Sequence, residues 1–296
     1  RGAATYAAVV QLPLTFSADL AQAVGAAIGG ILRIEGVATE SLSGAKEKEG
    51  LWRRIAGETL APFRAVADLW LARWFGVDLE EDVYRAALDG QALALGIRES
   101  RAPGLARRRF FHWELEFPDI FFDERGRRRA DGGFDAVVGN PPWERIKLQE
   151  NEFFAARSRA IATAPRAADR KRLIARLPDD NPELWAEYQA AKADAEQSLR
   201  FVQKSGHFPL MGVGDTNLYA VFAERALDIV APTGRVGLLV PSGIATDHTT
   251  RHFFQKLVDE RRLAELLDFE NRRKVFEDVD SRFKFSIVLM TGAGDP

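Results

Sequence analysis

The sequence contains no cysteine. That excludes disulfides, zinc–thiolate sites and cysteine nucleophiles, and it fits a reducing cytoplasm. Long apolar runs are missing as well. None approaches the roughly 18 residues that a membrane helix needs, and no signal-peptide pattern opens the chain. Charge of one sign is equally scarce: 41 Lys and Arg stand against 43 Asp and Glu, for a formal charge of -2. No global basic field advertises nucleic acid, so any such contact must be local. Repeats and low-complexity tracts are absent. The four histidines, His112, His207, His248 and His252, show no metal-ligand spacing beyond the weak pair His248/His252, which reads as a solvated helix face. Ser242 lacks the Gly-x-Ser-x-Gly frame of a nucleophile elbow. The expectation is a soluble cytoplasmic protein with no membrane association.

What is present is a chain of 296 residues, 46% hydrophobic, enough for one large or two ordinary domains. The first hundred residues are helical in pattern. Ser17 is the expected N-cap, with Asp19 in the first turn, of an Ala/Leu/Ile-rich helix that fades near Gly36. Leu51, Trp52, Ile55, Leu60, Phe63, Val66, Leu69, Trp70, Trp74 and Phe75 recur at helical spacing and read as core, with a break at Gly57 and Pro62. Residues 148–203 are polar and Ala-rich without alternation, as in an inserted helical hairpin broken near 178–182. Beyond them come an amphipathic helix over 218–230, a buried-type strand over 236–241, a helix over 249–260, and strands over 263–269 and 285–290. Strand and helix in alternation predict an α/β sheet with helices on both faces.

The most informative stretch is Val138-Gly139-Asn140-Pro141-Pro142-Trp143-Glu144, directly after the apolar run Phe134-Asp135-Ala136-Val137. A buried strand ending there sets a carboxamide, a locked carbonyl and a flat ring at the mouth of a sheet. An exocyclic amine on a planar base is a poor nucleophile, because its lone pair is delocalised into the ring. Two acceptors aimed at its N–H bonds favour the localised, tetrahedral nitrogen and the positive charge that builds there. Asn140 offers a side-chain carbonyl and Pro141 a main-chain one, while Pro142 forces the residue before it towards extended geometry. Trp143 can stack on a base swung out of its duplex, a contact worth about 1–3 kcal/mol.

The motif, with Arg145, Ile146 and Lys147 after it, resembles that of amino-methylating DNA methyltransferases, especially the large type IIG restriction–modification and phage-defence adenine methylases. Three further stretches share the resemblance: the lead-in Phe111-His112-Trp113-Glu114-Leu115-Glu116-Phe117-Pro118, the run Asn217-Leu218-Tyr219 with Phe222, and 234–242. Val275-Phe276, before the last strand, resembles the late motif whose aromatic closes the second face of the flipped adenine. The resemblance spans about residues 60–150 and 210–292 and implies a Rossmann-like class I methyltransferase half-sheet. It implies that Asn140 and Pro141 accept from the adenine N6 amine, that Pro142 locks the turn, and that Trp143 stacks on the base. It makes Phe276 the second stacking ring, with Phe283 its rival, and Asn217, Tyr219 and Pro241 candidate pocket residues. Glu144 and Lys147 read as local salt-bridge or loop residues.

S-adenosylmethionine is the implied cofactor, held in such proteins by a Gly-rich turn after a strand. The glycines at 25–30 lie in a helical pattern, those at 212–214 follow no strand, and those at 292–294 sit where the chain stops. With Arg1 in place of Met, the chain reads as cut from something longer. Residues 1–105 are then a helical insertion between a lost cofactor half and a catalytic half at 106–296, itself interrupted at about 148–205. A downstream target-recognition domain is expected and not found, and no nuclease motif is seen. Double-stranded DNA is the expected partner, along with other restriction or defence subunits. Arg125, Arg127, Arg128 and Arg129 are the leading phosphate contacts, ahead of basic residues at 107–109 and 157–176. Methylation of a protein glutamine or an RNA base, and an inactive remnant or scaffold, are the competing functions.

Overall fold

The structure is a computed structural model that describes residues 14–89, 94, 96–97, 108, 110–277 and 279–294. Its N-terminal part is helical: α1 (Leu14–Gly36), α2 (Leu42–Arg54), α3 (Ala61–Ala72) and α4 (Glu81–Asp89). α1 already begins at Leu14, so Ser17 lies inside its first turn instead of capping it. Ser41 does cap α2, its hydroxyl accepting from Gly44 N–H at 3.1 Å. The expected break is a π-type turn, Ile55–Thr59, which absorbs Gly57 and delivers Pro62 into the first turn of α3. Ile55, Leu60, Phe63, Val66 and Leu69 are buried as the periodicity requires, each contributing about 1.5–3 kcal/mol of transfer free energy. Trp52 is the exception, and it faces outward.

Two short helices follow, α5 (Trp113–Glu116) and α6 (Pro118–Phe121). Leu115 and Phe122 pack into the N-terminal helical core, and His112 meets the buried Asp68 at 2.8 Å. The Gly- and Arg-rich turn is organised by Asp123, which accepts from the backbone N–H of both Arg125 and Arg127. Strand β1 (Phe134–Gly139) comes next.

The insertion consists of α7 (Glu150–Ala155), α8 (Arg159–Ala162), α9 (Ala167–Asp180) and α10 (Pro182–Lys204). It has its own core of Phe154, Ile161, Ile174, Leu177, Leu184 and Tyr188. The break falls at Asn181, whose side chain caps α10 by accepting from Leu184 N–H.

The chain then runs through α11 (Leu218–Ile229), β2 (Val230–Pro241), α12 (Gly243–Thr246), α13 (Arg251–Asp259), β3 (Leu263–Glu270) and β4 (Lys284–Thr291). The sheet order is β1-β2-β4-β3. β1 and β2 are parallel, and β4 lies antiparallel between β2 and β3. β2 starts earlier than expected because residues 231–234 form an irregularity in its pairing with β1, tied down by Gly292 N–H to Gly234 O and Gly294 N–H to Pro232 O.

Two expectations need correction. β1 is not buried: it is an edge strand among the described residues, only Phe134 and Val137 are partly covered, and Val138 is 84% exposed. An apolar run cannot by itself tell a central strand from an edge. Helices also cover the sheet unevenly. α11 and α13 bury Val236, Leu238, Val240, Val288 and Met290 on one face. By strand alternation Val138, Leu239, Ile287, Leu289 and Leu267 point to the other, where Leu267 is exposed and Leu239, Ile287 and Leu289 stay half-buried. Described helices touch that side at one end, where Phe134 sits among Trp113, Phe117 and Phe121.

Candidate functional site

The segment Asn140-Pro141-Pro142-Trp143 leaves the C-terminal end of β1 and is fixed at three points. Pro141 is buried. Trp143 donates its indole N–H to Leu239 O of β2 at 3.3 Å and packs against the sheet core. Beyond it the backbone zips to the start of α11, with Ile146 N–H on Thr216 O (3.0 Å) and Leu218 N–H on Glu144 O (2.8 Å). Arg145 and Asn217 face each other across this bridge, and Arg145 pairs with Asp215. The ion pair thus belongs to Arg145 and not to Glu144 or Lys147. Asn140 is exposed, and its carboxamide bonds to no described residue. An unspent side-chain acceptor beside a rigid turn is what recognition of an amine requires.

Both candidate rings meet Trp143. Phe283 lies parallel to it, with centroids 5.5 Å apart and an interplanar angle of 12°, and Phe276 approaches edge-on at 6.3 Å. Phe276 leans in turn on Phe285, which stacks on Phe269. Pro241 pairs with Phe285 at the end of β2 on the same side of the sheet. The sequence thus supplied two rivals for one ring contact, and the loop brings both to it.

Of the other pocket candidates, Asn217 opens α11 in extended geometry and Tyr219 is buried behind it. Burial pushes the Tyr219 phenol up, the charge of Asp247 adds to this, and a hydrogen bond with Asn217 opposes it. Gly243 leaves room for that meeting, since a Cβ there would lie 2.5 Å from the Asp247 carboxylate. One group escaped the sequence pattern entirely. Asp268 of β3 accepts from the hydroxyls of Ser242 and Ser286, which hold its carboxyl below the usual range. Residues from three strand ends meet there, and no local motif announces them.

The basic turn is largely neutralised from within. Arg127 pairs with Asp123, Arg129 bonds Asp131 through two nitrogens, and Arg128 reaches Glu114 and lies over the Phe121 ring. Backbone and side-chain bonds from Arg127 lower the Asp123 carboxyl, and Arg129 does the same for Asp131. Arg125 has no carboxylate partner among the described residues. Arg157, Arg170 and Arg176 are likewise paired, with Glu187, Glu150 and Asp180. Arg108 pairs with Asp194, while Arg107 and Arg109 lie outside the described residues. His248 and His252 are exposed beside Arg251, His112 is largely covered where it meets Asp68, and His207 is exposed but lays its ring against Trp70 and Phe201.

The glycine clusters do not form a cofactor turn. Gly25 and Gly30 lie in α1, where a Cβ would strike Glu124 O and Ile55. Gly212 packs on the carbonyls of Val202 and Phe208, and Gly292 on those of Ala231 and Pro232. Each is small because backbone or side chain presses on it. The described residues therefore do not fit S-adenosylmethionine as a complete site.

Taken together, an open mixed sheet carries an unspent carboxamide and a cluster of aromatic rings at the end of one strand. The sequence model of the Eco57I restriction-modification methylase family matches residues 73–169 and 188–276, more than half of the chain. The chain belongs to that family. No curated protein and no solved structure matches it.

Proposed function

We propose that this chain forms the acceptor side of an S-adenosylmethionine-dependent methyltransferase acting on the N6 amine of adenine in double-stranded DNA, within a restriction–modification or phage-defence system. One observation carries the proposal. The Asn140 carboxamide stands free at the end of β1, on the same short turn as Trp143, which the rings of Phe276 and Phe283 approach. A flipped adenine stacks on Trp143, and its amine donates to Asn140 Oδ1 and to the Pro141 carbonyl. As N6 turns tetrahedral and gains positive charge, those two acceptors bind it more tightly than they bind the flat ground state, and that difference lowers the barrier. Pro142 holds the Pro141 carbonyl in place. On this proposal residues 1–105 are an insertion between a cofactor half and the catalytic half at 106–296, with a second insertion at about 148–205.

The test is nucleoside mass spectrometry of DNA from a methylation-free host expressing the full-length reading frame that contains this chain, beside Asn140→Ala. N6-methyladenine that vanishes in the variant supports the proposal. A folded, expressed protein with no methylated adenine refutes it and turns attention to glutamine side chains or RNA. No described helix is long and apolar enough to cross a membrane.

A further inference from the structure

We infer that Asn271 is the positioning residue of the aromatic slot, an inference that rests on the methylase reading above. Asn271 follows β3 and is fully buried, although Arg272, Arg273 and Lys274 beside it are exposed. Every polar atom it owns is used on the loop that carries the two rings. Its carboxamide oxygen accepts from Phe276 N–H at 3.1 Å. Its carboxamide nitrogen donates to Phe276 O at 2.9 Å and Val279 O at 3.0 Å. Its own N–H donates to Phe283 O at 2.9 Å, and its carbonyl accepts from Lys274 N–H at 2.9 Å. One side chain thus clamps Phe276 from both sides of its peptide unit, while the backbone of the same residue holds Phe283.

The turn so formed is not one the chain adopts freely. Lys274 sits at φ +53°, and its ammonium bonds back to Glu277 O and Val279 O. No strand pairing reaches the described residues among 275–279, so the place of Phe276 beside Trp143 depends on this carboxamide. A carboxamide is required because the loop presents a donor and acceptors together, which neither a hydroxyl of shorter reach nor a carboxylate satisfies.

Two measurements test this. In the unaltered protein, residue-resolved hydrogen exchange should find the Phe276 amide protected by at least roughly tenfold relative to Arg273 and Glu277. Exchange at the rate of those neighbours overturns the inference, whatever the variants do. In methylation assays run below the melting temperature, Asn271→Ala should lower kcat about 10- to 100-fold, with KM for duplex DNA changed little. It should add less than about threefold in a Phe276→Ala background, because both changes act through one ring. An unchanged kcat, or two losses that multiply, overturns the positioning role. Asn140→Ala separates the failures. If it too leaves methylation intact, the assignment of the site falls and the Asn271 role with it; if it abolishes methylation while Asn271→Ala does not, only the role of Asn271 falls.

Discussion

Replacing Trp143 separates what the indole does for the fold from what it does for a bound base. The side chain is half-buried, donates to Leu239 O and touches the rings of Phe276 and Phe283. A fully buried Trp→Ala change costs about 3–5 kcal/mol, and partial exposure brings this nearer ~2 kcal/mol. Loss of the indole hydrogen bond adds about 1 kcal/mol, so Trp143→Ala should destabilise the protein by ~3 kcal/mol. Trp143→Phe keeps a ring and forfeits the hydrogen bond, so about 1 kcal/mol should be lost. Urea unfolding with an unchanged m-value measures both. For methylation, loss of base stacking worth about 1–3 kcal/mol predicts a fall in kcat/KM of roughly 5- to 150-fold for the Ala variant. The Phe variant should stay within about fivefold of wild type, since a π-face remains. Equal activity losses in the two variants, or an Ala variant as stable as wild type, would refute the stacking argument.

Two further outcomes follow from charge. His207 packs against Trp70 and Phe201, and burial, with Arg225 nearby, lowers its pKa below the ordinary 6.5. The unfolded chain then binds a proton that the native state refuses, so stability should fall as pH drops below about 6.5, and His207→Gln should flatten that part of a Tm–pH profile; an unchanged slope contradicts the assignment. On the basic turn, Arg125→Ala should reduce the salt slope of DNA binding by about 1, whereas Arg129→Ala, whose cation is already paired with Asp131, should change it less. Fluorescence anisotropy over a salt series checks both, and equal effects would mean that the internal pairing opens on DNA.

Much of the architecture was legible because periodicity and punctuation agreed. The strands ending at Gly139 and Pro241 stop where Asn-Pro-Pro and Pro-Ser break the ladder, and Asn181 caps a helix just after Pro178, which lies in the last turn of the helix before it. What stayed hidden was long-range. β1 reads the same as an edge or a central strand, because burial is decided by neighbours that its own six residues do not name. Asn271 sits in Glu-Asn-Arg-Arg, a stretch that looks like any polar turn, and only the return of residues 276–283 buries it. The Asp268 cluster is drawn from three separate segments. Arg127 and Arg129 read as leading phosphate contacts, and only the folded turn pairs them with Asp123 and Asp131.

Under the proposed function, energetics predict an order for Phe276 and Phe283. The Trp143 and Phe283 rings are 5.5 Å apart and nearly parallel, which is contact distance for two rings. A base held between them needs two such gaps of roughly 3.5 Å each, about 7 Å in all, so Phe283 must withdraw before a base enters. Giving up that ring pair costs about 0.5–1.5 kcal/mol, less than the ~1–3 kcal/mol gained when a base takes its place. The proposed function then predicts that Phe283 covers Trp143 until a base displaces it, while Phe276, clamped by Asn271, is the ring fixed at the rim of the slot. Removing a competitor should help binding: Phe283→Ala should tighten binding of a duplex with an unpaired target adenine by about 2- to 12-fold. Phe276→Ala should weaken the same complex. If Phe283→Ala instead weakens it, Phe283 is the second stacking face and Phe276 its support, and the order of the two rings is reversed.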